Sequence, residues 1–552
     1  MATKSAVVEQ TSVPVSPVPE APQCTKPVSF RHRLKRVLWD TFDYSREERR
    51  LLFKIDFFIL HNMGELLVAS NWSEANAYVS GMKEELHVVG NQYQTFTTMW
   101  TMYAHRVKQP EIEHHSDRNI QWLRDLPDPV ADDLHPRYAV LSHLLSLFSN
   151  QQWIHLVRLS FWCPSWECLW VIVTFASAAV KTPYQLYACR LLVGLAEGTF
   201  YPAVHTVLGG WYTKRELAKR ACIFFGSAFV GSMFSGYLQA ALYTGMNGVH
   251  GLSGWRWLFI FDGVITFPMA IWGYLALPDL PSNTRVIWLR AEEKELALSR
   301  MRRAGKSLEE PITWKGTKRV LSKWHFWVYT AYYTFFICSE NIGSYMNLWL
   351  KSLNRYSVSQ INTYPTVTNA ITILTSLLYG WASDLFQIRY PIVFFSLTVC
   401  FFAAMNLAVW DGVPFGLKWA SYYLTGFAQG SGPVFLVRSF TQAWRSKCAE
   451  TLIKEQTMVN EICAGDSLER KIILGSTNSI AYAFNAWIPL VSYNTNYAPR
   501  FLVGNSVTVG LIVCAAGTLG LAVYLQRRDE RRQQSRVGSG GSGDRASVST
   551  EV

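Results

Sequence analysis

Three long apolar runs follow one another between Tyr187 and Leu277, and the first two are separated by the basic turn WYTKRELAKR at residues 211–220. Each run is long enough to cross a hydrocarbon core of about 30 Å, which takes about 20 helical residues. A chain dominated by such runs cannot be divided into ordinary aqueous domains by its length. The sequence therefore predicts a polytopic membrane protein built from helices.

The charged residues are few and are crowded into a small number of segments. They make up 17% of the 552 residues, against 49% hydrophobic residues, and the net charge is +12. In a soluble protein this charge would favour nucleic acid as a partner. Here the basic residues cluster between apolar runs, as in loops that stay on the cytoplasmic side of a membrane. We therefore expect a lipid bilayer as the partner, and no nucleic acid.

The residues that commonly carry metal or cofactor chemistry form no pattern. The ten cysteines are scattered singly, with no CxxC pair, so we expect buried free thiols. No phosphate loop of the GxxxxGK[ST] type occurs, which argues against transport driven by ATP. A group of potential ligands lies in an unpatterned polar stretch without fixed geometry: His105, His114, His115 and Asp117. We expect no metal, no cofactor and no enzyme active site.

Ten apolar segments are credible membrane spans, four before a hydrophilic segment at residues 278–323 and six after it. Their approximate limits are 162–179, 187–210, 222–243 and 257–277, then 324–350, 364–383, 390–410, 419–437, 472–491 and 501–525. Two blocks of spans around a central loop are typical of transporters whose repeats enclose a site near the bilayer midplane.

The composition divides the chain into five regions. We predict a disordered cytoplasmic tail at 1–50, an N-terminal transmembrane half at 51–277, a central cytoplasmic loop at 278–323, a C-terminal transmembrane half at 324–526 and a second disordered cytoplasmic tail at 527–552. The first tail lacks the apolar core of a signal peptide. With both termini in the cytoplasm, the number of spans must be even.

The first two spans of a twelve-span protein must come from residues 51–104, where the signal is poor. The apolar segment that begins at Leu51 is interrupted by four ionisable residues, Lys54, Asp56, His61 and Glu65. Backbone polar groups cannot cross lipid unsatisfied, so this region still has to supply helices. The sequence therefore predicts that helices one and two are damaged or atypical.

Two polar segments interrupt the pattern of spans. One occupies residues 105–155, where a membrane helix is expected, and the other occupies residues 438–457. We interpret both as anomalous insertions, from a retained intron or a mispredicted gene model. The alternative is that they are lineage-specific loops, which surface positions tolerate at small cost.

Ionisable groups inside the spans are the candidates for transport chemistry, because a charge at mid-membrane costs at least about 2.5 kcal/mol. Arg190 and Glu197 are seven residues apart and share a helix face, where the cation would bind a substrate carboxylate and the glutamate would carry a coupling proton. Glu340 lies well inside its span and suits reversible protonation. The alternative for all three is structural packing. For Asp262 we expect an ion pair with Arg256.

Further polar residues inside the spans are candidates for substrate binding. Each of them is alternatively an ordinary hydrogen-bonding group between helices. The set comprises Tyr201, His205, Asn341, Asn369, Gln429, Asn478 and Asn485.

Several long motifs carry a family resemblance. The run RLLVGLAEGTFYPAVHTVLGGWYTKRELAKR at 190–220 is followed by GSMFSGYLQAAL, GLSGWRWLFIFDG and ALPDLP, in that order. These motifs resemble the fungal anion:cation symporter family of the major facilitator superfamily, in its allantoate and vitamin branch and nearest to the pantothenate transporters. The resemblance implies an all-α fold of two six-helix halves.

The resemblance also implies a function. We expect a monomeric transporter of the fungal plasma membrane that couples the uptake of a small organic anion, such as pantothenate, to protons. The alternative is a nutrient sensor that transports nothing, or an inactive product of a mispredicted gene. The segment YGWASDLFQIR at 379–389 resembles the superfamily's inter-helix loop motif, which implies a gating role for Gly380, Asp384 and Arg389.

Overall fold

The computed structural model describes residues 44–60, 74–106, 158–198, 200–303, 314–386, 390–431 and 467–540. The N-terminal half contains α1 (Arg46–Ile55), α2 (Glu74–Ala77), α3 (Gln92–Arg106), α4 (Leu159–Ala178), α5 (Pro183–Gly198), α6 (Phe200–Trp211), α7 (Lys214–Met246) and α8 (Gly254–Ala276). The connector between the halves contains α9 (Ala291–Arg303) and α10 (Trp314–Leu321). The C-terminal half contains α11 (Trp324–Ser339), α12 (Met346–Ser352), α13 (Val358–Thr363), α14 (Thr366–Phe386), α15 (Tyr390–Val409), α16 (Phe415–Gln429), α17 (Ser467–Ser492) and α18 (Leu502–Gly540).

Helices pack mainly within their own half. In the N-terminal half α4 lies between α5 and α8, and α3 packs against α5. In the C-terminal half α11 packs against α17 and α18, while α15 packs against α16 and α18. The halves meet where α3 contacts α17 and where α7 contacts α13 and α14.

Four helices of the described part are long and apolar enough to cross a membrane, namely Leu159–Ala178, Gly254–Ala276, Tyr390–Val409 and Leu502–Asp529. Each exposes large apolar side chains, among them Ile172, Val264, Phe402 and Val513. Contiguous apolar surface of this kind needs a partner, and hydrocarbon chains provide one. These helices therefore present their outer faces to lipid.

The first two membrane helices are atypical, as the sequence predicts. The chain of α1 continues as a π-helix over Asp56–Leu60. Beyond α2 a second π-helical segment, Tyr78–Met82, contains a kink at Ser80 and Gly81. The φ angle of Gly81 is 113°, which an L-residue rarely adopts, so glycine is required there.

The boundaries of both predicted tails need correction. Helix α1 begins at Arg46 because Ser45 caps it, accepting a hydrogen bond from the backbone N–H of Glu48 at 3.2 Å. At the other end α18 continues to Gly540, so residues 527–540 are helical and not disordered. Arg, Glu and Gln are good helix formers, and a preceding span removes the cost of nucleation. The remaining tail residues lie outside the described part of the chain.

The predicted span 324–350 is also interrupted. Helix α11 ends at Ser339 and the chain continues as a 3₁₀-helix over Glu340–Tyr345 before α12 begins. The two insertions are only marginally covered: His105 and Arg106 close α3, and the rest of 105–155 and all of 438–457 lie outside the described residues.

Candidate functional site

Hydrogen bonds from α3 join the two halves at one end of the molecule. Three side chains of this helix or its approach donate to backbone carbonyls of α17 or the residue after it. The pairs are Asn91 to Leu490 at 2.8 Å, Gln94 to Tyr493 at 3.0 Å and Thr98 to Ala486 at 3.0 Å. Because they cross between halves, these bonds hold only while this end is closed.

A second set of hydrogen bonds, fully buried, crosses the halves beside the first. Asn347 donates to the amide oxygen of Asn76 at 2.9 Å, and Asn362 donates to the hydroxyl of Ser80 at 2.9 Å. Asn76 in turn donates to Ser235 at 3.2 Å. We call these five residues the amide seal. Most buried side-chain amides in proteins are hydrogen-bonded, and these bonds between the halves fix the register of one half against the other.

The amide seal is flanked by an ion pair and by a close helix approach. Lys351 lies 2.8 Å from a carboxylate oxygen of Glu84 and 5.7 Å from the ring centre of Tyr78. A Cβ atom at Gly236 would lie 2.7 Å from the carbonyl oxygen of Asn362, so only glycine allows this approach. The closed end lies at the far ends of the helices from the connector.

Ion pairs at the opposite end bind the connector to the N-terminal half. Glu216 of α7 pairs with Arg300 of α9 at 2.5 Å, and both are buried. Lys54 pairs with Glu293 of α9 at 2.6 Å. Burial alone would raise the pKa of the Glu293 carboxyl, but hydrogen bonds from Lys54 and from the backbone N–H of Arg290 lower it below its ordinary value.

Near the middle of the C-terminal half, the break after α11 brings four of the predicted residues together. Asn341 donates to the amide oxygen of Asn485 at 2.6 Å. Gln429 donates to the backbone carbonyl of Glu340 at 3.4 Å and accepts from Thr372 at 3.3 Å. We call this group the central polar cluster.

The central polar cluster contains an acid with an unsatisfied atom. The Oε1 atom of Glu340 is buried and has no hydrogen-bond partner among the residues that the structure describes. A Cβ atom at Gly343 would lie 2.9 Å from the hydroxyl of Thr425, so α16 approaches the 3₁₀-helix closely. A carboxyl in this setting is costly to ionise, because no described residue donates a hydrogen bond to Oε1 in place of water.

Arg190 supplies a cation inside the N-terminal half. Its side chain is 9% exposed, and the guanidinium lies 5.5 Å from the ring centre of Phe259 on α8. The guanidinium also interacts electrostatically with Asp262, which lies on α8 as Phe259 does. The predicted pair of Asp262 with Arg256 is wrong: Arg256 pairs with Glu85 at 2.8 Å. Six residues separate the two α8 side chains, which places them on different helix faces.

Glu197 is held by the second membrane helix. The indole N–H of Trp100 donates to its Oε2 at 2.7 Å. Val193 and Ala196, on the same helix as Glu197, belong to an apolar cluster against which Trp100 packs. The carboxylate therefore has one defined donor in this arrangement.

For the other predicted residues, the structure describes the position in the chain but few or no side-chain contacts. Asn369 is half-buried on α14 and makes no hydrogen bond to another described residue. Tyr201 and His205 lie on α6 and Asn478 lies on α17, with side chains outside the described part. Gly380 and Asp384 lie on α14, but the Asp384 side chain and the whole of Arg389 lie outside it. Within the described residues no group of three His, Cys, Asp or Glu could hold a metal.

Sequence reasoning missed the amide seal and one buried acid. Glu167 of α4 is 2% exposed and has both carboxylate oxygens buried. The signal was available, because Glu167 is a lone acid inside the apolar segment LSFWCPSWECLW, as Glu340 is inside its own span. The seal could not be found this way, since its members are common amides and serines whose partners lie more than a hundred residues away.

Comparison with known proteins adds a family match. The family model described as the Major Facilitator Superfamily matches residues 166–447. The pantothenate transporter liz1 of Schizosaccharomyces pombe is 28% identical over 519 residues, covering 92% of this chain and 88% of that one. The MFS transporter PfmaC of Pestalotiopsis fici is 30% identical, covering 90% and 84%. The pantothenate transporter FEN2 of Saccharomyces cerevisiae is 27% identical, covering 87% and 86%.

Among solved structures, a bacterial homologue of the human lysosomal transporter Spinster has a similar fold. Its inward-facing, unoccupied crystal structure superposes with a TM-score of 0.52 at 12% sequence identity, covering 87% of this chain and 97% of that one. At this identity the similarity concerns the fold alone.

Proposed function

Because this chain belongs to the Major Facilitator Superfamily, we propose that it carries a small organic anion, of which pantothenate is the first candidate, together with protons. The family match confirms the predicted fold of two six-helix halves in a multi-pass membrane protein. Two of the relatives are named as pantothenate transporters, and the candidate substrate proposed for this chain is taken from those names. The carboxylate, amide and hydroxyl groups of pantothenate determine which interaction partners a binding site must provide.

The observation that carries this proposal is the central polar cluster at the break after α11. Discontinuous helices commonly form the substrate sites of secondary transporters, because their free backbone and polar side chains face the cavity. Here Asn341 and Asn485 come from different spans and already share one hydrogen bond. Gln429 comes from a third. Amides in this position can donate to and accept from the amide and hydroxyl groups of the substrate.

Arg190 is the group proposed to select an anion. A guanidinium buried in a span costs at least about 2.5 to 3.5 kcal/mol, so it persists only with a counter-charge or a function. Asp262 interacts electrostatically with this guanidinium in this arrangement. A substrate carboxylate would share the guanidinium, which offers five N–H donors. The remaining predicted ligands, Tyr201, His205, Asn369 and Asn478, stay proposals.

Glu340 is the group proposed to carry the coupling proton, with Glu197 as the second candidate. The unsatisfied oxygen of Glu340 favours the neutral acid while it is shut away from water. One proton balances the charge of a monoanion, so the membrane potential does not oppose entry, and the pH gradient adds drive. A single uncompensated charge would cost about 2.3 kcal/mol per 100 mV.

Alternating access would follow from opening and closing the two ends in turn. We place the basic connector, both termini and the ion pairs of α9 in the cytoplasm of a plasma-membrane protein, by the positive-inside rule. The amide seal then closes the outer end in this arrangement. Gly380, Asp384 and Arg389 are proposed to gate the inner end, and the transporter is proposed to act as a monomer.

The proposal is tested by uptake of labelled pantothenate in cells that lack their own carrier. We expect uptake by the chain as given, stronger at pH 5 than at pH 7, and loss of uptake in Arg190→Gln. The control is Arg302→Gln, which removes an exposed arginine from α9 and should leave uptake unchanged. A second form lacking residues 105–155 and 438–457 is expressed beside it.

Each outcome of that comparison has a meaning. Uptake by both forms supports the proposal and makes the two segments harmless. Uptake only by the shortened form would make the chain as given an inactive product of a mispredicted gene. Uptake by neither form, with both present in the membrane, would contradict pantothenate as the substrate and favour another anion or a nutrient sensor, and the kink at Ser80 and Gly81 is compatible with a sensor.

A further inference from the structure

Glu167 is a buried acid that the proposed transport mechanism does not use. It lies on α4, eight residues after the helix begins at Leu159, which places it about 12 Å along a 30 Å helix. Neither of its carboxylate oxygens has a hydrogen-bond partner among the described residues. An acid at this depth without a partner requires an explanation.

The surroundings of Glu167 are apolar on the side of α8. A Cβ atom at Gly273 would lie 3.4 Å from the Oε2 atom of Glu167 and 3.1 Å from Pro164. One turn earlier on α4, Cys163 packs into an apolar cluster with residues of α1 and α6. The carboxyl group is therefore enclosed where α4 meets α8.

The charged and titratable groups around this position leave Glu167 without a counter-ion in the described part of the chain. Cys163 and Cys168 on its own helix are thiols close enough to interact with it electrostatically. The helices packed against α4 carry further titratable or charged groups: Arg256 (paired with Glu85), Asp262 and Tyr274 on α8, Tyr184, Tyr187, Cys189, Arg190 and Glu197 on α5, and Tyr201 and His205 on α6, whose side chains lie outside the described part. Burial is the main effect that disfavours the ionised form of the Glu167 carboxyl.

Other buried acids of this chain are treated differently. Glu216 is buried and pairs with Arg300 at 2.5 Å. Asp279 is buried and pairs with Arg158 at 2.8 Å, while it also accepts from Ser160 at 3.0 Å. These two buried acids therefore each form an ion pair that stabilises the fold, whereas no described cation pairs with Glu167.

An ionised carboxylate enclosed in this way is much less stable than the neutral acid, because burial removes its water and no donor replaces it. We propose that Glu167 is a second proton-binding site of the transport cycle, loaded in the arrangement described here. This inference rests on the proposed function, since it assigns a further proton to the same cycle. When Glu167 is exposed to water, its carboxylate takes a proton from hydronium and leaves water; on the other side of the membrane the reverse transfer releases it.

The test uses the full chain in liposomes, with labelled pantothenate and an imposed pH gradient. Each coupled proton multiplies the accumulation ratio by about ten per pH unit. Glu167→Gln keeps the shape of the neutral acid and removes one proton, so the ratio should fall about tenfold per pH unit. Exchange of pantothenate across the membrane without a gradient should remain. Glu167→Asp keeps the acid and should restore pH-dependent accumulation with a shifted pH midpoint.

A matched control separates a proton site from a merely structural one. Gln239 on α7 is also fully buried, and its amide atoms have no hydrogen-bond partner in the described part of the chain. Because an amide does not titrate, Gln239→Leu should leave the pH profile unchanged. An unchanged accumulation ratio and pH profile in Glu167→Gln would overturn the inference. If that variant does not fold, an unchanged pH midpoint in Glu167→Asp would overturn it.

A spectroscopic measurement keeps this result separate from the proposed function. Infrared difference spectra of the wild-type protein should contain the C=O stretch of a protonated acid that is missing in Glu167→Gln and that titrates with pH. If the wild type neither accumulates nor exchanges pantothenate, the proposed function has failed, and this band still decides whether Glu167 binds a proton. A spectrum without a band assignable to Glu167 would contradict the inference.

Discussion

Removing the inter-half bonds of the amide seal should open the sealed end. The double variant Asn347→Ala with Asn362→Ala deletes two buried hydrogen bonds, each 2.9 Å long, that exist only while the halves are in contact. Each such bond contributes about 0.5 to 1.5 kcal/mol net, because water satisfies the same groups when the end is open. The pair therefore favours the closed form by about 1 to 3 kcal/mol, which corresponds to about 5- to 150-fold in the equilibrium.

The assay measures how often the sealed end opens. Val79 is buried beside the seal, and Val79→Cys provides a thiol that a membrane-impermeant maleimide reaches only when the halves separate. While the closed form predominates, the labelling rate in the double variant should rise by about the same 5- to 150-fold. Rates are taken relative to protein without Val79→Cys, so that native thiols do not contribute.

The matched control is Asn406→Ala. Asn406 donates to the hydroxyl of Ser421 at 3.2 Å, but both residues belong to the C-terminal half. This bond persists whether the sealed end is open or closed, so the labelling rate should stay the same. An unchanged rate in the double variant, or an equal rise in Asn406→Ala, would refute the assignment of the seal.

Three further predictions concern the proton, a buried ion pair of the N-terminal half and acid stability. Glu340→Gln should lower accumulation driven by a pH gradient about tenfold per pH unit while exchange of pantothenate continues, and equal loss of both would instead indicate a structural role. Asp56→Asn breaks the ion pair of Asp56 with fully buried Arg220, at 2.6 Å. It should cost about 3 to 5 kcal/mol of stability, measured as a lowered midpoint of thermal unfolding. The control is Glu295→Gln, which breaks the exposed pair of Glu295 with Arg302 at 3.9 Å and should cost less than about 1 kcal/mol. The pKa of Glu293 is lowered in the folded state. The ionised carboxylate therefore stabilises the fold above the unfolded pKa of about 4.3, and this stabilisation is lost as the pH falls through the folded pKa. Glu293→Gln should weaken the dependence of the thermal unfolding midpoint on acid pH, and an unchanged dependence would contradict this.

Much of the architecture could be predicted because the apolar character of each span can be read from its own residues. The limits of α4, α8 and α15 follow from sequence that is apolar over most of its length, and the polar residues within the first helix indicate its irregular geometry. The break after α11 was missed, because ENIGSY is short and apolar residues continue on both sides. Hydropathy averaged over a span does not detect a few residues that change from α to 3₁₀ geometry.

Partner choice was the harder part of the site. Asn341 and Asn485 were both identified as polar residues within spans, but only the packed structure shows that they bond to each other. The ion pair expected between Arg256 and Asp262 was wrong because Glu85, far away in sequence, lies on the correct side of α8. Pairing across helices depends on the rotation of each helix about its axis, which a single sequence leaves open.

In the proposed function, an organic anion and a proton cross the membrane together. The most direct measurement is the pH inside liposomes that contain the purified full chain, followed after pantothenate is added outside with no initial pH gradient. We expect acidification of the interior that depends on pantothenate and disappears in Arg190→Gln but persists in Arg302→Gln. Pantothenate entry without acidification would contradict it.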